Sequence, residues 1–168
     1  MDDAEAAPRD RAARPVPVAL DVRIATGTLL AAAAAVWAAP TSALPSSELQ
    51  LDGVPFRPEL ALTAGERARG LMHRRRAPRD GMLFVFGHAT AGGFWMKNTL
   101  VPLRITFFDT RGRRIRTLRM TPCRRDPCRS YDAGRPYRFA LELPAADRRP
   151  ARRLGPSRQL ERLIRRAS

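Results

Sequence analysis

Short apolar runs, each cut off by glycine or proline, limit what this chain can become. GMLFVF (81–86), LRITFFD (103–109) and YRFALEL (137–143) are too brief for an amphipathic helix and rich in phenylalanine, isoleucine, valine and leucine. Runs of that length and composition, bounded by turn residues, read as strands. Weaker runs lie around them. SELQLDGVPFRPELAL (47–62) alternates apolar and polar residues about an Asp-Gly turn and reads as two short strands. FWM (94–96) and RIRTLRM (114–120) are further strands, the latter returning from a DTRG hairpin turn (109–112) whose glycine suits a left-handed backbone. GHATAGG (87–93) reads as a flexible loop. One helix is expected, over AGERARGLMHRR (64–75). Thr63 and Glu66 have the spacing of a capping box, Ala68, Leu71 and Met72 share a face, Arg74 to Arg76 suit the carboxyl end of the dipole, and Pro78 is the stop. Many short strands, one short helix and frequent Gly/Pro punctuation predict a mainly β fold, a small β-barrel or β-sandwich.

The first 43 residues do not share that pattern. Residues 1–23 are rich in Pro, Ala, Arg and Asp, and an uncharged apolar segment follows over 24–39. It ends in small residues, with Thr41-Ser42-Ala43 and Val36-Trp37-Ala38 as two cleavage triplets, as in a secretory signal peptide. The alternative is an uncleaved membrane anchor, for which the segment is short against the roughly 17 to 25 apolar residues that span a bilayer. No cysteine follows the segment, which argues against a lipoprotein. The expected organisation is therefore a leader (1–43), a single β-rich domain (44–160) and a basic C-terminal tail (161–168). The expected location is periplasmic or secreted. Cleavage after Ala43 leaves about 125 residues, enough for one core.

The formal charge of +15 belongs to the part after the leader, because the leader holds five acids and four arginines. Such a chain attracts polyanions without specificity. Its arginines are spread along the sequence rather than gathered in a stripe, aromatics are few and no nucleic-acid motif is present, so specific nucleic-acid binding is not expected. The tail 147–168 carries eight arginines with Leu154, Leu160, Leu163 and Ile164, and either closes the domain or hangs off it as a basic arm.

Against this arginine background one lysine stands out. Lys97 is the single lysine among 31 basic residues, and Asn98 beside it is the single asparagine. An amine differs from a guanidinium: it is compact, it titrates readily when desolvated, and it can act as base or nucleophile. The competing reading is a chance survivor at a strand end. Asn98 in the same way either offers an amide to a ligand or fills a turn position of positive φ. Of Trp95 and Met96, alternation sends one into the core and the other to the opposite face.

Cys123 and Cys128, in PCRRDPCRSY (122–131), are the only cysteines. In an exported protein an even, minimal count reads as one disulfide. Two thiols do not complete a structural zinc site. His73 and His88 would have to supply the rest, at a spacing that is not diagnostic, so no metal is expected. Free or redox-active thiols are the remaining option, although the spacing is not CxxC. No carboxylate pair stands out for acid–base work: Glu66 belongs to the cap, Asp109 to the hairpin, and Glu142 lies within a strand.

In order along the chain, ERARGLMHRR (66–75), DGMLFVF (80–86), FWMKNTLVPLRITFFD (94–109), PC…C…Y and ALEL (140–143) resemble the domain-of-unknown-function 192 family. That family comprises small, often exported prokaryotic proteins. The resemblance covers roughly 49–160. It implies a small β-rich barrel or sandwich, and it implies no activity and no cofactor. Two positions depart from the family pattern. Arg104 stands where an acid usually follows Pro-Leu, and GPSRQL (155–160) replaces a Gly-Asp turn before the closing strand.

The functional expectation is a cell-envelope binding module. Arg69, Met72, Trp95, Lys97 and Asn98 would line one cleft for an anionic or carbohydrate-like small molecule or envelope polymer. The alternatives are an enzyme with Lys97 as base or nucleophile, and a structural envelope accessory protein. Membrane contact is expected only through an uncleaved leader.

Overall fold

The computed structural model describes residues 45–168. The leader, its apolar segment and both cleavage triplets lie outside the described residues. The fold is mainly β and sandwich-like, with sheets that do not close into a barrel.

The chain enters through a hairpin, β1 (Leu49–Leu51) and β2 (Val54–Phe56), then passes into β3 (Glu59–Ala61). Asp52 and Gly53, both at positive φ, form the two-residue turn, and Leu51 pairs with Val54 across it. The Asp52 carboxylate also accepts the amide N–H groups of Arg152 and Arg153, each at 2.8 Å. The segment thus holds three short strands where alternation suggests two, because Pro58 interrupts the second half.

Helix α1 (Ala64–Arg69) follows, with the expected capping box. The Glu66 amide donates to Thr63 Oγ1 at 3.2 Å, and Glu66 Oε2 accepts from the Thr63 amide at 2.8 Å. The helix ends at Gly70 rather than running to Arg75. Gly70 has φ of +48°, and a Cβ there would approach the Phe84 ring at 3.2 Å, so the chain turns as it packs down on β4.

The central sheet has strand order β3-β4-β9-β6-β7. It comprises β4 (Met82–Thr90), β6 (Leu103–Phe108), β7 (Arg114–Met120) and β9 (Tyr137–Pro144), with β3 joining β4 in parallel. The strand β4 continues through Gly87-His88-Ala89-Thr90, which composition alone assigns to a loop; an irregularity in its pairing with β9 after Val85 absorbs the extra residues. A two-stranded pair, β5 (Phe94–Trp95) with β8 (Ser130–Tyr131), stands beside this sheet.

Both faces of the central sheet are covered, which is why its strands read as continuous apolar runs. On one face Leu83, Phe108, Phe139, Leu141 and Leu143 pack against the β1–β2 hairpin and the C-terminal elements. These are β10 (Leu154–Gly155), which pairs with β1, and α2 (Ser157–Arg166), which buries Leu160 and Leu163. The fold therefore has two helices, and the arginine-rich tail forms the second: its leucines recur at helical spacing on the buried side. On the other face Met82, Phe84, Ile105, Phe107 and Ala140 meet Leu71, Met96 and Tyr131.

Gly81, at φ +70°, precedes β4 where its backbone approaches β9 so closely that a Cβ would overlap the Glu142 carbonyl oxygen. Strain and overlap act together at this site. Gly81→Ala is expected to destabilise the domain by roughly 3 kcal/mol or more, read as a lowered midpoint in urea with an unchanged slope.

Candidate functional site

A groove lies between α1 and the β5 segment, on the face of the central sheet opposite α2. Its deepest part is a narrow cavity of about 30 Å³, with Gly70, Leu71, Met72, Phe84 and Thr99 in its wall and Glu142 among its lining residues. A broader groove of about 260 Å³ shares Arg67, Ala68, Phe94 and Trp95 with it and reaches Phe86 and Tyr137.

The walls follow from local chemistry. Phe94 sits edge-on to Phe84 at 4.9 Å and to Phe107 at 5.7 Å, and Phe107 meets Tyr137 at 4.8 Å. This aromatic cluster fixes β5 against the sheet. The Tyr137 hydroxyl donates to the Gly92 carbonyl at 2.6 Å and closes the loop before β5. Burial pushes the Tyr137 hydroxyl up to about 12, so it stays protonated. On the other wall the Arg67 guanidinium donates to the carbonyls of Val85 and Ser168, at 3.1 and 2.7 Å, and also to that of Leu62. It lies over the Phe86 ring as well. Arg67 is therefore occupied in holding α1 to β4 and to the chain end, whereas Arg69, at the rim, has no carboxylate partner among the described residues.

The floor carries an unusual group. Glu142 stands on β9 opposite Met82 of β4 and Ile105 of β6, on an otherwise apolar face, and is 4% exposed. No hydrogen bond from a described residue reaches its carboxyl, and burial alone pushes its pKa up to about 8. At neutral pH the group is mostly a neutral carboxylic acid, able to donate one hydrogen bond and accept another. A titratable group shifted this far by burial and lining a cavity is a candidate functional position.

Of the residues singled out by the sequence, three come together here: Arg69, Met72 and Trp95 line the narrow cavity. Trp95 is 54% exposed while Met96 is buried at 1%, so the pair splits as alternation requires. Lys97 and Asn98 lie outside the lining. Lys97 Nζ donates to Asp126 at 2.9 Å and stands 5.8 Å from the Trp95 ring, so it braces the indole from beside the groove. Asn98 takes the turn role, at φ +57°, with its carbonyl accepting the His73 amide at 2.8 Å. That bond ties the segment after α1 to the segment after β5. Cys123 and Cys128 are joined in a disulfide. Their sulfurs being bonded to each other, the neighbouring trio Cys123, Asp126 and Cys128 offers a cation one carboxylate only.

A larger cavity of about 610 Å³ lies on the opposite side, beside β2. Several of its charges are paired: Arg149 bridges Asp80 at 3.0 Å and Asp147 at 2.7 Å, and Arg57 pairs with Glu48 at 2.7 Å, while Arg79 has no carboxylate partner among the described residues. Arg104, at the family's acidic position, belongs to the same network, donating to the Arg149 carbonyl at 2.6 Å. These ion pairs tie the β2 side of the fold to the segment after β9.

Comparison with known proteins bears on the whole of this region. The model of the family DUF192, described as Uncharacterized ACR, matches residues 47–151. No curated protein matches the chain. Two solved structures are similar over 64% of this chain. One is a candidate transcription regulator from Sinorhizobium meliloti 1021, at 31% identity and a TM-score of 0.54 over 89% of its length. The other is a protein of unknown function from Novosphingobium aromaticivorans DSM 12444, at 23% identity and a TM-score of 0.53 over 79% of its length, a likeness of fold alone.

The buried carboxyl has a thermodynamic signature. Its pKa is raised in the folded state from an ordinary 4.5 to about 8, so the folded chain holds a proton that the unfolded chain releases. The stability this contributes is complete below about pH 4.5 and is lost as pH rises toward 8. Glu142→Gln is expected to leave stability near pH 5 almost unchanged. At pH 9 the variant should exceed the parent by on the order of 3 kcal/mol, measured by urea unfolding at both pH values. Parallel pH profiles for the two proteins would place the carboxyl in water.

Proposed function

The chain belongs to the DUF192 family, a family without an assigned activity, and on that premise we propose that it is a binding module whose groove takes a carbohydrate-like ligand. The observation that carries this reading is an exposed indole next to a narrow cavity with a neutral carboxyl, without a hydrogen-bond partner among the described residues, in its lining. Sugars are recognised by that combination: a ring lies against an aromatic face, and hydroxyl groups meet side chains that both donate and accept. The broader groove has the volume for a ring beside Trp95, and the narrow cavity has room for one small polar substituent near Glu142. Arg69 at the rim adds a cation for an acidic sugar or polymer.

Two further observations favour binding over catalysis. Among the described residues lining the groove, no second acid faces Glu142, so the paired carboxylates of glycoside hydrolysis are not formed. Lys97, the candidate base or nucleophile, holds an exposed carboxylate and does not line the groove. The disulfide supports a location outside the reducing cytoplasm, in keeping with an exported module of the cell envelope.

The test is a calorimetric titration of the protein with neutral and uronic-acid oligosaccharides. Saturable binding is expected. Trp95→Ala should weaken it about tenfold or more while shifting stability by less than about 0.5 kcal/mol, since the indole is exposed. Arg69→Ala should weaken only the acidic ligands. Binding that survives Trp95→Ala unchanged would move the site elsewhere.

A further inference from the structure

A second cavity, of about 280 Å³, lies on the other side of the β5 segment, under the disulfide loop. We propose that it is an oxyanion site, which takes the phosphate group of a small phosphorylated molecule. The claim does not depend on the groove's being a sugar site.

The floor is rigid and apolar. Met96 is buried, and Tyr131 is held by the Thr121 amide, which donates to its hydroxyl at 3.3 Å. The Cys123–Cys128 bridge closes the loop above, and the Cys123 amide donates to the Met96 carbonyl at 3.3 Å, so the loop is fixed to β5 as well as to itself. On this frame Arg124, Arg125 and Arg129 line one opening. None of the three has a carboxylate partner among the described residues, in contrast to Arg57, Arg74, Arg113 and Arg149. Arg129 lies over the Tyr131 ring with its guanidinium carbon 5.1 Å from the centroid, which leaves its N–H edges free.

The one acid of the loop, Asp126, would oppose an anion. Its Oδ2 is bonded to Lys97 Nζ at 2.9 Å. Lys97 therefore neutralises Asp126 and leaves the arginines as the loop's uncompensated charge. The planar fork of arginine matches the oxygen pairs of a phosphate, and several forks around one concavity on a rigid frame are the usual form of such a site.

Calorimetric titration of the oxidised, full chain tests this, with inorganic phosphate, glucose 6-phosphate and glucose as probes. Saturable binding of glucose 6-phosphate is expected, with weaker binding of inorganic phosphate at the same site. Arg124→Gln with Arg129→Gln should weaken glucose 6-phosphate about tenfold or more, with an unchanged melting temperature because both residues are exposed. Arg162→Gln with Arg165→Gln, which removes equal charge from α2, should leave affinity within about twofold. Trp95→Ala should also leave it unchanged. The proposal fails if no phosphorylated probe saturates, if the α2 variant loses as much as the loop variant (a general charge effect), or if Trp95→Ala abolishes binding (glucose 6-phosphate in the groove).

Discussion

Strand β9 is the member on which the other elements depend. It hydrogen-bonds to β4 on one side and β6 on the other, and layers cover it on both faces. A strand so placed has no solvent-facing row, so every residue from Phe139 to Leu143 must be small, apolar or specifically accommodated. Phe139, Leu141 and Leu143 turn to the hairpin and α2, and Ala140 turns to the aromatic cluster. Glu142 breaks the pattern at the most central place available. A charged form there would cost several kcal/mol, so the group keeps its proton. The same burial that builds the core thus creates the one neutral acid of the groove.

Much of this was legible from residue order. The principal apolar runs became strands, the capping box formed, and Arg69, Met72 and Trp95 converged on one cavity. What escaped is instructive. α1 stops six residues early because Gly70 must pass the Phe84 ring, a contact with a strand far along the chain that no local signal anticipates. The tail became a helix only because β10 and the hairpin supply an apolar seat for Leu160 and Leu163, so its arginines point outward and its leucines inward. From the sequence Glu142 reads as a strand residue. Its signal is present in FALEL (139–143), where one acid interrupts a run that is otherwise apolar. An acid in such a run is either paired, exposed at an edge or buried for a purpose, and only the position of β9 in the sheet decides among the three.

Lys97 and Asn98 are rare residues that lie outside the groove lining and make structural contacts. Asn98 is there for its backbone, in the left-handed region that asparagine tolerates better than most residues. Lys97 reaches a single carboxylate oxygen while remaining beside an indole. An ammonium satisfies that geometry as a point charge. A guanidinium would instead spread its donors over a plane.

The same contact links the two sides of the β5 segment. Trp95 faces the groove, Met96 floors the cavity under the disulfide loop, and Lys97 connects the indole to Asp126 of that loop. Three successive residues serve three environments, which a strand of period two followed by a turn makes unavoidable. The disulfide limits how far the loop can move, and the Lys97–Asp126 pair passes that restraint to the indole. An exposed surface ion pair contributes little stability by itself. Here its consequence is positional. It holds the Lys97 ammonium beside the indole, and on the proposed reading of the groove as a sugar site that would leave less ordering to oppose binding.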